Sequence, residues 1–377
     1  MKEINVLSVL LDGRKIGTLA KYERNLTAFQ YEDDWLAEGF SINPLSLPLE
    51  KKVFFSKYHP FEGLLGVFDD SLPDGWGRLL LDRLLIRNRV NPEEVQPITR
   101  LAIVGNSGMG ALEYRPEIEL GETAHAEDLD QIAQECQKIL ETESSDDLDR
   151  LFNLGGSSGG ARPKILTTYE GEDWIIKFPS SLDSREIGLI EFEYAQCAKA
   201  CGIEMAETKL FSSRRCQGYF GTKRFDREKD EGAKIKKIHM VSAGGLLETS
   251  HRIPNLDYHL LMKLTQIMTG SFEEIEKLYR LMCFNVFAHN RDDHARNFSY
   301  LYDEEKGVWK LSPAYDLTYS SSIGGEHATC VNGNGKNPGM EDILVVAENA
   351  CISSAKAQKI ARDVQEITKE LQKFFPR

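Results

Sequence analysis

Through the first 60 or so residues, apolar and polar positions alternate, as in "MKEINVLSVLLDGRKIG", with breaks at Asp12–Gly13 and at further Gly and Asn/Asp positions. A period of two predicts short antiparallel strands. The period changes at "PDGWGRLLLDRLLIRN". Pro73-Asp74-Gly75 makes a turn, and leucines at 79, 80, 81, 84 and 85 predict an amphipathic helix after it. Residues 101–115, "LAIVGNSGMGALEYR", set a glycine-rich turn between two apolar segments. Residues 119–150 are acidic with a helical period, which predicts a linker helix or a solvated face.

Residues 151–180, "LFNLGGSSGGARPKILTTYEGEDWIIKFPS", read as a glycine-rich loop, a strand, a turn at Gly171 and a second strand ending at Lys177. A helix follows in "DSREIGLIEFEYAQCAKACGI", capped by Asp183 or Ser184 and stopped at Gly202. Strands are expected around "MAETKLFSS" and "GYFGTKRFDR", and from about residue 255 the pattern is mainly helical. The order predicts an α+β protein of two lobes, β-rich first and helical last. The expected divisions are residues 1–118, 119–254 and 255–377.

The composition (41% hydrophobic, 28% charged) is that of a globular protein, and 377 residues can bury an ample core. A net charge of −13 argues against the chain as a whole binding nucleic acid. The basic strip "KRFDREKDEGAKIKKIH" is expected to be a solvated hairpin. No apolar run reaches the roughly 18 residues of a membrane span, and "MKEINVLSVLLDG" lacks the apolar core of a signal peptide. Seven scattered cysteines without a CxxC pair read as reduced thiols of a cytoplasmic protein.

Three stretches carry candidate chemistry. In "GGSSGGARPK", residues 155–164, four glycines in six positions let backbone N–H groups turn towards an anion. Ser157, Ser158, Gly159, Gly160, and Arg162 or Lys164 would supply donors and charge; a plain flexible hairpin loop is the alternative. Lys177 sits in the strand-like "WIIKFPS", where a lysine is either an edge residue or a phosphate partner. In "HNRDDHARNFS", residues 289–299, Asp292 and Asn297 have the D-x-x-x-x-N spacing of a kinase catalytic loop, and Asp316 in "LSPAYDLTYS" is a second carboxylate suited to magnesium. A zinc reading would use His289, Asp292, Asp293 and His294, but the spacing is not H-E-x-x-H and it leaves the glycine loop unexplained.

Taken together these residues resemble the HipA family of bacterial serine/threonine kinases, the toxins of type II toxin–antitoxin pairs. The resemblance runs through "DDSLPDGWGRLLLDRLL", "LAIVGNSGMGALEY", "GGSSGGARPK", "KRFDR" and "NRDDHARNFSYLY…LSPAYDLTYS". It implies a two-lobed, HipA/PI3-4-kinase-like fold with ATP and Mg2+ as cofactors. Asp292 would be the catalytic base and His294 an active-site histidine, with Asn297 and Asp316 as metal ligands. Lys177 would contact the phosphates, paired with Glu191 or Glu193 if with either. Lys223, through its backbone, and Phe225 would contact adenine. Ser157, or its neighbour Ser158, would be the autophosphorylated residue that switches the enzyme off. The implied partners are a helix-turn-helix, HipB-like antitoxin and a protein substrate of the translation machinery such as an aminoacyl-tRNA synthetase. DNA would be reached only through the antitoxin. Two rivals stand beside this reading: a catalytically quiet co-repressor working through the antitoxin, and a metal-dependent hydrolase built on the Asp-Asp-His cluster.

Overall fold

The computed structural model describes residues 3–120, 128–141, 148–229, 235–321 and 323–375. The fold is mixed, strand-rich towards the N-terminus and helical towards the C-terminus. It divides into two compact units. One comprises residues 1–188, 210–241 and 245–248, and the other residues 189–209, 242–244 and 249–377.

In the first unit the alternating N-terminal segment forms an antiparallel sheet. Its strands lie in the order Phe54–Phe55, Leu26–Tyr31, Arg14–Tyr22, Val6–Leu11, Leu112–Arg115. Leu7, Val9 and Leu11 point inward while their neighbours do not, as the period of two requires. The helix Gly75–Arg87 buries two sides. Leu80 and Leu84 pack with Trp76 against Ile132, Cys136, Ile139, Leu151 and Leu154, whereas Leu81 and Leu85 join Val95 and Ile103. Each buried side chain of this size contributes roughly 1.5–3 kcal/mol.

The acidic stretch at 119–150 is therefore more than a linker or a solvated face. Helix Leu129–Leu140, capped by Asp128, sets Ile132, Cys136 and Ile139 into that core, and helix Leu148–Gly155 adds Leu151 and Leu154. Strands Lys164–Tyr169 and Glu172–Lys177 form the expected hairpin about Gly171, and Tyr219–Lys223 pairs with the second of them. Ile165, Trp174 and Ile176 close the core from this sheet. In the basic strip, strands Arg227–Lys229 and Ile235–Lys237 pair antiparallel; residues 230–234 lie outside the described residues.

The second unit is built around helix Phe272–Phe287, which packs on Tyr258–Thr269, Met340–Asn349 and Ser354–Thr368. Asp257 caps Tyr258–Thr269 by accepting the His259 N–H at 2.8 Å, and Gly270 ends it in the left-handed conformation. A hairpin, Ser299–Asp303 with Val308–Leu311, is fastened to the central helix where Glu274 accepts the Leu311 N–H at 2.8 Å. Leu256–Asp257 pairs in parallel with Thr329–Cys330. No helix among the described residues is long and apolar enough to cross a membrane.

Candidate active site

In the first unit the glycine loop lies against the turn that starts helix Gly75–Arg87. Trp76 N–H donates to the Gly160 carbonyl at 2.9 Å, the Trp76 indole donates to the Lys164 carbonyl at 3.2 Å, and Asp74 accepts the Gly160 N–H. This contact explains the glycines of "PDGWG". A Cβ at Gly75 would stand 2.4 Å from the Gly160 carbonyl oxygen, and one at Gly77 2.4 Å from that of Ser158. The two serines differ. Ser158 is buried and its hydroxyl donates to the Gly155 carbonyl, while Ser157 is only half-buried and donates to the Ser107 carbonyl at 2.9 Å.

Lys164 and Lys177 are register partners across the hairpin, so both side chains rise from one face of the sheet. Both are buried. Lys164 Nζ donates to the Gly159 carbonyl, and Lys177 Nζ lies 5.6 Å from the centre of the Phe220 ring. The sheet thus carries two lysines side by side on one face.

Lys223 faces Trp174 across the next strand pair and its ammonium meets Glu172 at 3.0 Å; Phe225 is half-buried. Between and after them, Arg224, Asp226 and Arg227 form a cluster that a solvated hairpin would not contain. Asp226 is fully buried and accepts from Arg224 (2.7 Å), Arg227 (3.0 Å) and the Gly110 N–H (2.7 Å). Both guanidinium groups also donate to the Gly108 carbonyl at 3.1 Å. Burial alone would raise the Asp226 carboxyl, but the two guanidinium groups and the Gly110 N–H outweigh it and hold it at about 2.

In the second unit, helix Phe272–Phe287 runs into the loop at 289–297. His289 takes a positive φ of 53°, an uncommon conformation for a residue with a side chain, and its ring stacks on Phe375 at 4.4 Å. Burial, then Arg291 and His327, hold its pKa below the usual histidine value. Asp293 points inward and is fully buried, whereas Asp292 is exposed. The Asp293 carboxylate accepts from the Tyr258 hydroxyl at 2.9 Å, His327 Nδ1 at 3.0 Å and the Thr329 N–H at 3.2 Å. His294 Nδ1 accepts the Arg296 N–H at 3.3 Å, opening a 3-10 turn over Ala295–Asn297.

Asn297 Nδ2 donates to the Asp292 carbonyl at 2.7 Å, and the amide oxygen is the acceptor of the same side chain. Asp316 also has a positive φ, 58°. Its neighbour Tyr315 donates to the Arg296 carbonyl and, with its proton so used, accepts from Ser299 at 2.6 Å. The Asp316 segment is thereby tied to the Asn297 turn. An amide oxygen and a carboxylate are donors of the hard kind that magnesium prefers. The inward turn of Asp293 removes one carboxylate from the zinc reading. Among the described residues no group of three or more His, Cys, Asp or Glu is placed to hold a metal.

Comparison with known proteins agrees with this architecture. Residues 7–115 match the model of the HipA N-terminal domain and residues 156–371 that of the HipA-like C-terminal domain. The chain belongs to the HipA family. Two similar curated proteins are the "Putative kinase Y4dM" and "Putative kinase Y4mE" of Sinorhizobium fredii (strain NBRC 101917 / NGR234). The first is 24% identical, covering 88% of this chain and 81% of the relative. The second is 25% identical, covering 83% and 77%. Among solved structures, HipA of Shewanella oneidensis MR-1, in a complex with HipB and operator DNA, shares the fold. The TM-score is 0.72 at 18% identity, over 98% of this chain and 92% of that one.

Asp293, Tyr258 and His327 were not singled out by the sequence in any structural role, and neither was the Arg224–Asp226–Arg227 cluster. For the loop the one local signal is a doubled charge, Asp292-Asp293, of which one member is exposed and the other buried.

Proposed function

We propose that this chain is an ATP- and Mg2+-dependent serine/threonine protein kinase, the toxin of a toxin–antitoxin pair, held in check by a HipB-like helix-turn-helix antitoxin and by autophosphorylation of its glycine loop. The observation that carries this reading is the loop at 292–297. The Asp292 and Asp293 carbonyls both accept hydrogen bonds, yet the Asp292 side chain is exposed, and Asn297 is anchored through its amide nitrogen. Asp292 accepts the proton of the attacking hydroxyl, a task worth roughly 10²–10⁴-fold in rate. Asn297 and Asp316 hold magnesium, which neutralises charge on the phosphates. Lys177 and Lys164 face the phosphates electrostatically, and the glycine loop lends N–H donors. Adenine is taken at Phe225 and the Lys223 backbone.

The relatives named as kinases support the activity, and the HipA–HipB–operator complex supports a DNA-binding antitoxin as partner, with DNA reached through it. The protein substrate is proposed to lie in the translation machinery, such as an aminoacyl-tRNA synthetase. The test is incubation with γ-labelled ATP and magnesium, with and without Asp292→Asn. Label on protein that the variant loses supports the kinase. Free phosphate alone points to a hydrolase, and antitoxin binding with neither product points to a co-repressor.

A further inference from the structure

Asp293 differs from its neighbours in the loop because it faces inward and meets three donors from two other parts of the second unit. Tyr258 reaches it from the start of its helix, and Thr329 and His327 reach it from the segment after residue 325. The Thr329 hydroxyl also donates to the Asp293 carbonyl, and the Ala328 N–H to the Arg291 carbonyl at 3.0 Å. Backbone and side chain are therefore both held at this one residue.

Behind Tyr258 the bonding continues. Asn290 donates to Asn285 at 2.9 Å, Asn285 donates to the Tyr258 hydroxyl at 2.9 Å, and that hydroxyl donates to Asp293. Every one of these side chains is buried. Donors arranged head to tail polarise one another, and all converge on the one carboxylate. Burying a carboxylate is costly unless donors compensate it, so an acid in this place needs a reason.

The reason lies in its neighbour. Asp293 is buried and Asp292 exposed, so these two consecutive side chains face opposite ways. Pinning Asp293 inward turns Asp292 outward, and the same pin fixes the carbonyl of Asp292, on which Asn297 hangs at 2.7 Å. We propose that Asp293 and His327 are positioning residues for phosphoryl transfer, a buried clasp that holds Asp292 and Asn297 in register without touching substrate. The proposal rests on the kinase reading for its rate consequence, though not for its loop consequence.

Two variants and two readouts test it. In His327→Ala the clasp loses its imidazole donor, while His327→Asn returns a donor close to the place of Nδ1. Should His327→Ala not fold, Tyr258→Phe removes a single hydroxyl at nearly constant shape. Steady-state labelling with ATP should show kcat down tenfold to a hundredfold with KM for ATP within about twofold, the size expected when a group that orients another is lost. Amide exchange should quicken across residues 289–298, and His327→Asn should restore both readouts. Unchanged exchange, or quickened exchange with wild-type kcat, would overturn the clasp. A wild-type chain that labels nothing would instead sink the kinase reading, and exchange would still decide the clasp.

Discussion

Asp74 sets its carboxylate on the backbone N–H of Gly160, so an acid from the start of one helix fills a donor of the glycine loop. A hydrogen bond to a charged acceptor contributes about 1.5–3 kcal/mol. Asp74→Ala should therefore quicken amide exchange at Gly159–Ala161 by about tenfold or more. Helix Gly75–Arg87, held by Leu80 and Leu84 in the core, should exchange as before. Equal rates at the loop in both proteins would show that the bond does not order it.

The loop serines should separate in phosphopeptide mapping. Ser157 is the more accessible, whereas a phosphate on Ser158 would first have to leave a buried site bonded to Gly155. Ser157→Ala is expected to abolish self-labelling within the loop. Ser158→Ala should keep the label and lose about 1 kcal/mol of stability in a denaturant melt.

Asp226 links pH to stability. Its carboxyl is held at about 2 in the folded chain, below an ordinary value of 3.8. A depressed acid stabilises above its unfolded pKa, and that contribution is lost as pH falls through the folded one. Between pH 4 and pH 2 the wild type should therefore lose stability that Asp226→Asn does not. At pH 7 the variant, with two guanidinium groups beside an uncharged amide, should be about 3 kcal/mol less stable. Urea titrations at pH 7, 4 and 2 check both signs.

Asp316→Asn should leave the fold intact, because asparagine tolerates a positive φ at least as well as aspartate. What it removes is a charge on the proposed metal. The magnesium concentration for half-maximal labelling should rise about tenfold, with melting temperature within a degree or two of wild type. A variant with wild-type magnesium dependence would move the second ligand elsewhere.

Much of this was readable along the chain. The alternation near Val6–Leu11 and the hairpin about Gly171 are local patterns, and each has its expected form. The rest depends on partners far away in sequence. Nothing near Asp293 announces His327, 34 residues on, or Tyr258, 35 residues before. Arg224, Asp226 and Arg227 read as solvated charge because their counterparts are the backbone of Gly108 and Gly110, more than a hundred residues earlier. Helix Leu129–Leu140 was legible in part. Its inward stripe of Ile132, Cys136 and Ile139 has helical spacing but is diluted by acids on the other side.

The ring of Phe375 lies flat on His289, and Tyr319 closes in on the same ring at 5.6 Å. Phe375 is thus a wall of the bend that opens the Asp292 loop. An aromatic ring more than seventy residues downstream braces that bend, so a change at Phe375 reaches the loop through His289 without altering any residue of the loop itself.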